Sequence, residues 1–323
     1  MKRRLLTRAA MHSMLLFALA WTQTLFASPK THAATPAASH AISGAEVLRL
    51  TQQYVDVAPK RYVGSPGHAA AENFIRQHFQ PEAAKGDFVT DEFYARTPIG
   101  TVPMRNFIVK YPGKKDGIIV LASHYETNYW LKDVNFIGAD DGACTTALLI
   151  AIGQYLREHP PQGYSVWLLL DDGEESINQQ WTDADSLYGV RHIAAKWSAD
   201  GTLGKIKAFI VADMIGAKNM NIDREANSTP WLLDLLAKAG KDTGHSNMMF
   251  RNSGPIDDDH IPFKQRGVPV LDVIAYEYGP FDQQRGDYAY HHTAQDTMDK
   301  LSAQSLQVSA DLFLDLIRLI NEH

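Results

Sequence analysis

The stretch Ser165–Ser176, SVWLLLDDGEES, decides how this chain folds. An apolar run of strand length stops at Asp171, Asp172, Gly173, Glu174 and Glu175. A continuous apolar run bounded by a turn signal reads as a strand buried on both faces, which is the situation inside a parallel sheet. The same pattern recurs in NFIVKY from Asn106, IIVLAS from Ile118, KAFIVAD from Lys207 and PVLDVIA from Pro269. Helical patterns lie between these runs. The clearest covers Ala143 to Arg157, where Cys144, Ala147, Leu148, Ala151, Ile152 and Tyr155 recur at helical spacing before Pro160 ends it. Others are predicted near Ala69–Phe79 and over Ser302–Ile320. Strands alternating with helices predict an α/β sandwich.

Bulk properties narrow the function. The chain has 323 residues, 45% hydrophobic and 21% charged, enough for one large core. A formal net charge of −6 gives no clustered cation excess for phosphates, so nucleic acid is excluded as a partner. At the N-terminus, Lys2, Arg3, Arg4 and Arg8 precede an apolar run, Met14–Trp21, that is short for a bilayer span. This predicts a signal peptide over 1–33, cut after Ala27 or Ala33, a flexible leader over 34–44, and one folded domain over 45–323. Export to the periplasm or medium is the consequence, with a retained signal anchor as the alternative and no other membrane contact. The single cysteine, Cys144, permits no internal disulfide and no thiolate metal site.

In open α/β sheets ligands gather beyond the carboxyl ends of strands. The residues that close each strand-like run are chemically consistent: His124 after IIVLAS, Glu174 and Glu175 after SVWLLLD, and Asp213 at the end of KAFIVAD. A glycine-containing loop before the Ala143 helix offers Asp140 and Asp141, and YHHTAQDT offers His291 and His292. Imidazole with carboxylate and no thiolate is the donor mixture of a catalytic zinc site. Adjacent Glu174 and Glu175 point apart in a turn, so one can bind metal while the other moves protons. Taken alone, DDGEES is a solvated turn before a helix that favours acids; the other strand-end ligands argue against that.

A longer set of motifs points the same way: YVGSPGHAAAENFI from Tyr62, NFIGADDGACTTALL, DDGEES, WTDADSLYGVRHIAAKW, ADMIGA, DDDHIPFKQRGVPVL and HHTAQDT. In these the chain resembles the glutaminyl-peptide cyclotransferases, which are built like the co-catalytic zinc aminopeptidases. DSLYGVRHIAAKW is the most specific segment. The resemblance implies a single-domain α/β/α sandwich around a central mixed, mostly parallel sheet. It implies one zinc ion held by Asp141, Glu175 and His292, with Glu174 as acid/base. Asp213 and Asp258 match acids of its proton network, Asp213 being held by Asp258. Trp181 and Ile256 match apolar walls around the glutamine of a peptide substrate. The reaction implied is attack of the substrate's own α-amine on its side-chain amide, releasing ammonia and leaving pyroglutamate.

The chain departs from the family at several points. His291 stands where the family has a tryptophan, so this part of the substrate wall is changed, with Tyr288 or Tyr290 as replacement. Glu126 replaces an aspartate, Ser123 replaces a disulfide partner and leaves Cys144 unpaired, and one extra residue separates Glu175 from Trp181. The rival reading is a two-zinc aminopeptidase in which Asp141 bridges the metals and His124 with Asp213 completes the second site. A binding module that has lost its chemistry is the third, disfavoured because every ligand type is present.

Other residues have structural readings. Asp185 and Ser186 are expected to start the helix at LYGVRHIAAKW, and Asp257, Asp258 and Asp259 to cap the turn at HIPFKQRG. His192, Trp167, Trp197 and Trp231 are expected to pack, His260 to orient the neighbouring acids, and Asp171 and Asp172 to brace the turn at Gly173.

Overall fold

The strand order of the central sheet is what brings the acids together. The computed structural model describes residues 40–323; the expected signal segment and most of the leader lie outside the described residues. A first helix α1 (Gly44–Val57) is followed by α2 (Pro66–His78) and the short α3 (Gln80–Lys85). A hairpin then forms from β1 (Phe88–Thr97) and β2 (Gly100–Tyr111), followed by β3 (Lys115–His124), α4 (Cys144–Glu158), β4 (Tyr164–Asp171), α5 (Tyr188–Ala199) and β5 (Ile206–Asp213). Beyond these come β6 (Ile222–Glu225), α6 (Pro230–Asp242), β7 (Met249–Gly254), α7 (Ile261–Lys264) and β8 (Val270–Ile274). A small ribbon, β9 (Phe281–Asp282) with β10 (Asp287–Tyr288), precedes the last helix, α8 (Ala303–Glu322).

Six strands form the sheet in the order β1-β2-β4-β3-β5-β8. The hairpin and β2/β4 pair antiparallel, whereas β4, β3, β5 and β8 run parallel. This is the mixed, mostly parallel sheet expected, and its parallel centre explains the near-continuous apolar runs. In β3 every residue from Gly117 to His124 is buried. The edge strand β1 alternates buried and exposed positions, so FVTDEFYART carries no apolar block and was not anticipated.

One large apolar cluster joins α1, α2, α4, α6 and α8 to one sheet face, and a smaller one joins α5 and α7 to the other. That is the layered sandwich. The three helices predicted from sequence are present as α2, α4 and α8; α1 and α6 add to them. Ser65 accepts the His68 amide and Ser302 the Ser305 amide, capping α2 and α8. The folded body begins slightly before position 45. Ile42 is 6% exposed, the Gly44 amide donates to Gln307 Oε1 at 2.8 Å, and Gln307 Nε2 donates to the Ile42 carbonyl at 2.8 Å.

Two expected caps are corrected. Asp185 does not cap α5; its carboxylate accepts the Ile177 and Asn178 amides at 3.0 Å each and the Tyr188 hydroxyl at 2.7 Å, pinning the loop after Glu175. No aspartate side chain caps α7, where the Asp258 carbonyl accepts the Ile261 amide instead. Trp197 packs edge-on against Trp167, Trp231 stacks on His323, and His192 stacks on Phe93. No described helix is long and apolar enough to cross a membrane.

Candidate active site

Each parallel strand delivers its polar residue to the same edge. His124 ends β3, Glu174 and Glu175 follow β4 after a two-residue turn, and Asp213 ends β5. Asp141 lies in the loop entering α4, and His292 follows the β9/β10 ribbon. Two glycines make this convergence possible. Gly142 has φ +85° and lies so close to the His124 ring that an added Cβ would meet Cε1 at 2.9 Å. Gly173 has φ +71°, with Met104 Sδ 2.8 Å from where its Cβ would be. The turn inside DDGEES therefore requires glycine on both counts. Met214 and His292 carry φ values of +47° and +51°, so non-glycine residues adopt left-handed backbone beside Asp213 and at the histidine itself. Such local strain persists where surrounding structure enforces it, as at a functional site.

His292 Nε2 lies 3.1 Å from Glu175 Oε1 and 3.4 Å from Asp141 Oδ2. Both carboxylate oxygens are buried without a hydrogen-bond donor. Tetrahedral zinc with bonds of ~2.0–2.1 Å has ligand atoms about 3.3 Å apart. The two distances from His292 match that spacing, and the orphaned oxygens at its two partners suit a cation. A second set has similar dimensions, with His124 Nε2 3.2 Å from Asp141 Oδ1 and 3.5 Å from Asp213 Oδ1. Asp141 is common to both sets.

The electrostatics agree. Burial would raise the Asp141 carboxyl, but His124 and His292 pull it well below the ordinary carboxylate range. Burial would lower His124, but Asp141 and Asp213 overcome it and raise its pKa well above normal. Glu174 is raised by burial and by Glu175, and Glu175 by burial and by Asp141. His292, buried among these groups, is lowered by desolvation and so favours the neutral ligand form.

Sequence reasoning missed the groups that hold the ligands. Asn128 Nδ2 donates to Glu175 Oε2, and Glu126 Oε1 accepts the Glu175 amide at 3.1 Å. Asp296 accepts the Asp140 and Asp141 amides at 2.9 and 3.3 Å and the Tyr278 hydroxyl at 2.6 Å. Burial and Asp141 push Asp296 up to about 6. Arg61, fully buried, donates to the carbonyls of Tyr125, Ile137 and Gly138 at 3.0, 2.6 and 3.0 Å. Asp296 lay inside a quoted motif and Glu126 stood out as a departure from the family, whereas Asn128 and Arg61 carried no sequence signal.

Asp213 and Asp258 both reach the site, but no hydrogen bond joins them; Asp213 faces His124, and Asp258 accepts the Asp259 amide. The expected restraint of Asp213 by Asp258 is therefore replaced by His124. Burial and Asp213 raise Asp258. His260 does not orient the neighbouring acids: its ring, buried and without a hydrogen bond, lies between Glu225 at 3.6 Å and Asp272 at 3.8 Å. Burial lowers its pKa to about 3.

The turn acids also separate. Asp172 braces the turn as expected, accepting His68 Nε2 and the Arg105 amide at 2.8 Å each. Asp171 does not: neither carboxylate oxygen has a donor in the hydrogen-bond network, and burial with Glu126 raises it to about 7.

A cavity of about 730 Å³ opens over the metal-ligand set. Asp141, Glu174, Glu175, Asp213, Asp258 and His292 line it, together with the expected wall residues Trp181, Ile256 and His291. Tyr288 shares that lining, whereas Tyr290 packs on Tyr278 and Lys300 away from it. Of the two expected tyrosines Tyr288 is the one on the cavity wall, where Tyr276 joins it with its ring against His291.

The pattern of peptidase family M28 matches residues 106–317. The Bos taurus protein named glutaminyl-peptide cyclotransferase is 30% identical over 279 residues, spanning 76% of this chain and 74% of its own length. The solved structure of an Acidobacteriales bacterium glutaminyl cyclase is 64% identical, with TM-score 0.85 over 87% of this chain and 95% of that one. A zinc-dependent exopeptidase from Parabacteroides distasonis shares the fold at 19% identity, with TM-score 0.74 over 87% of this chain and 99% of that one.

Proposed function

The chain belongs to peptidase family M28 and, among its members, to the glutaminyl-peptide cyclotransferases, and from that premise we infer how its own residues carry the reaction. It is an acyl-transferring enzyme that converts the N-terminal glutamine of peptides to pyroglutamate with release of ammonia. The observation that carries the residue assignment is the split at the Gly173 turn. Both glutamates line the cavity, but Glu175 lies 3.1 Å from His292, which also faces Asp141 at 3.4 Å, while Glu174 turns to His124 at 4.0 Å.

Asp141, Glu175 and His292 would hold one zinc ion. When bound there, the ion supplies Lewis-acid polarisation of a side-chain amide carbonyl. Trp181 and Ile256 form apolar walls that hold the glutamine side chain folded back on its own α-amine, so that attack is intramolecular. As the new C–N bond forms, Glu174 takes a proton from the α-nitrogen and gives it to the departing amide nitrogen, which leaves as ammonia when the old C–N bond breaks. Burial and the neighbouring Glu175 raise Glu174, and Asp258 and Asp213 add to the effect. A carboxyl raised in this way holds a proton more readily, as this transfer requires. No water is activated in this scheme. The basic start and the apolar Met14–Trp21 run support export of the mature enzyme.

The test is an ammonia-release assay with a Gln-initiated dipeptide, run beside a Leu-initiated chromogenic amide, with zinc measured on the same protein. Pyroglutamyl product with about one zinc per chain is the expected result. Cleavage of the leucyl amide with about two zincs would assign His124, Asp141 and Asp213 to a working second site and make the protein a peptidase.

A further inference from the structure

His291 lines the substrate cavity and is held from one ring nitrogen. Its Nδ1 lies 2.8 Å from Asp287 Oδ2. A carboxylate only accepts, so Nδ1 is the nitrogen that donates to it, and in that tautomer Nε2 offers a lone pair. Asp287 is itself fixed, taking the Tyr288 amide at 2.7 Å on its other oxygen. The ring is clamped between His292, with centroids 3.8 Å apart, and Tyr276 at 5.1 Å. Arg285 Nη2 donates to the His291 carbonyl at 2.9 Å and Nη1 to the Tyr288 carbonyl at 3.1 Å, tying the ribbon that carries both partners. His291 lines the cavity, its ring makes no hydrogen bond among the described residues besides the one to Asp287, and a ring nitrogen lies within 4.8 Å of donor atoms of Asp141 and His292.

Resting on the cyclotransferase reading, we propose that His291, oriented by Asp287, accepts a hydrogen bond from the substrate's α-amino group. Cyclisation needs that nitrogen about 3–3.5 Å from the side-chain carbonyl carbon with its lone pair directed at the carbon. Glu174 can receive one N–H. A second acceptor beside the metal ligands receives another, and two fixed N–H bonds leave the lone pair one direction. An apolar ring at this position would exclude water but would not orient the amine. His291 is thus a substrate-binding residue that selects ligands carrying a donor at the α-position.

The experiment uses zinc-loaded protein in a Glu174→Gln background, where glutaminyl-phenylalanine can be held without turnover, and compares its Kd with that of the desamino analogue, 4-carbamoylbutanoyl-phenylalanine. The comparison is repeated with His291→Phe and with Asp287→Asn added. The expected result is that His291→Phe reduces the preference for the amine-bearing ligand about 10–100-fold, the range for a hydrogen bond to a charged or strongly polar group. Affinity for the desamino ligand and zinc content should stay unchanged, and Asp287→Asn should give a smaller loss in the same direction. A preference that survives His291→Phe would overturn the proposal, as would loss of zinc from that variant, which would make His291 a metal ligand. Absence of pyroglutamate formation by the wild-type enzyme would instead overturn the underlying reading.

Discussion

Asp172 and Glu175 are separated by two residues of one turn, yet their carboxylates live under opposite conditions. Behind the turn, Asp172 has a donor on each oxygen, and Glu72 takes Arg105 Nη1 at 2.9 Å beside the buried His68. In front, Glu175 Oε1, Asp141 Oδ2, Asp213 Oδ1 and Asp258 Oδ2 are buried with no donor at all. A buried carboxylate without partners costs several kcal/mol, of the order of ~1–3 for a polar group and more for a charge. The rear cluster shows that the fold is able to satisfy such acids. At the cavity edge it leaves such oxygens bare, where the proposed zinc and proton transfer would use them.

The sharpest way to break this contrast is at Glu174. Glu174→Gln should lower kcat by about 10²–10⁴-fold, the contribution of a positioned general acid/base, while zinc stays bound. A zinc-loaded variant as active as wild type would remove the functional half of the contrast. Glu175→Ala should weaken zinc directly in a chelator competition. Asn128→Ala, which removes only the amide steadying Glu175, should cost about 10–100-fold in zinc affinity.

The rear cluster should respond in stability and not in metal binding. His68→Ala leaves Asp172 buried without its partner and is expected to cost about 3–5 kcal/mol in urea unfolding, with zinc affinity unchanged. A zinc defect there would mean that the two clusters are not separable.

The smallest effect concerns Asp171 and Asp259, bare acids that no sequence argument placed near each other. Burial raises both, with Glu126 adding to it at Asp171, pushed up to about 7, and Asp171 adding to it at Asp259. The folded chain then holds protons that the unfolded chain has released above about pH 4. This contribution to stability is complete below that pH and is lost as pH rises through about 7. Asp259→Asn should therefore stabilise the protein by about 1–2 kcal/mol at pH 8 and leave it unchanged near pH 4, as thermal melts at the two values would show.

The legible parts of the sequence are those where the physics is local. The parallel strands stood out because burial on both faces demands unbroken apolar runs, and the ligands stood out because they terminate those runs. The edge strand β1 was hidden by its alternation. Asn128, Asp287, Asp296 and Arg61 were silent for another reason: each acts on a residue or carbonyl brought close by folding, and Arg61 through main-chain oxygens that carry no residue identity. Asp185 misled because an aspartate before a helix has a local use, and here a loop from across the turn took it.

The packing of α1 against α8 sets an order in time. Gly44 lies so close to α8 that an added Cβ would meet the Ala303 carbonyl oxygen at 2.1 Å, and α1 finds part of its apolar cover on that helix. A chain emerging from the ribosome makes α1 early but cannot close that contact until α8 has been synthesised. Until then that face of the sheet lacks its last helix. Native closure is thus a late event, and a truncation within α8 should trap the polypeptide as a nascent, chaperone-dependent species rather than a smaller enzyme.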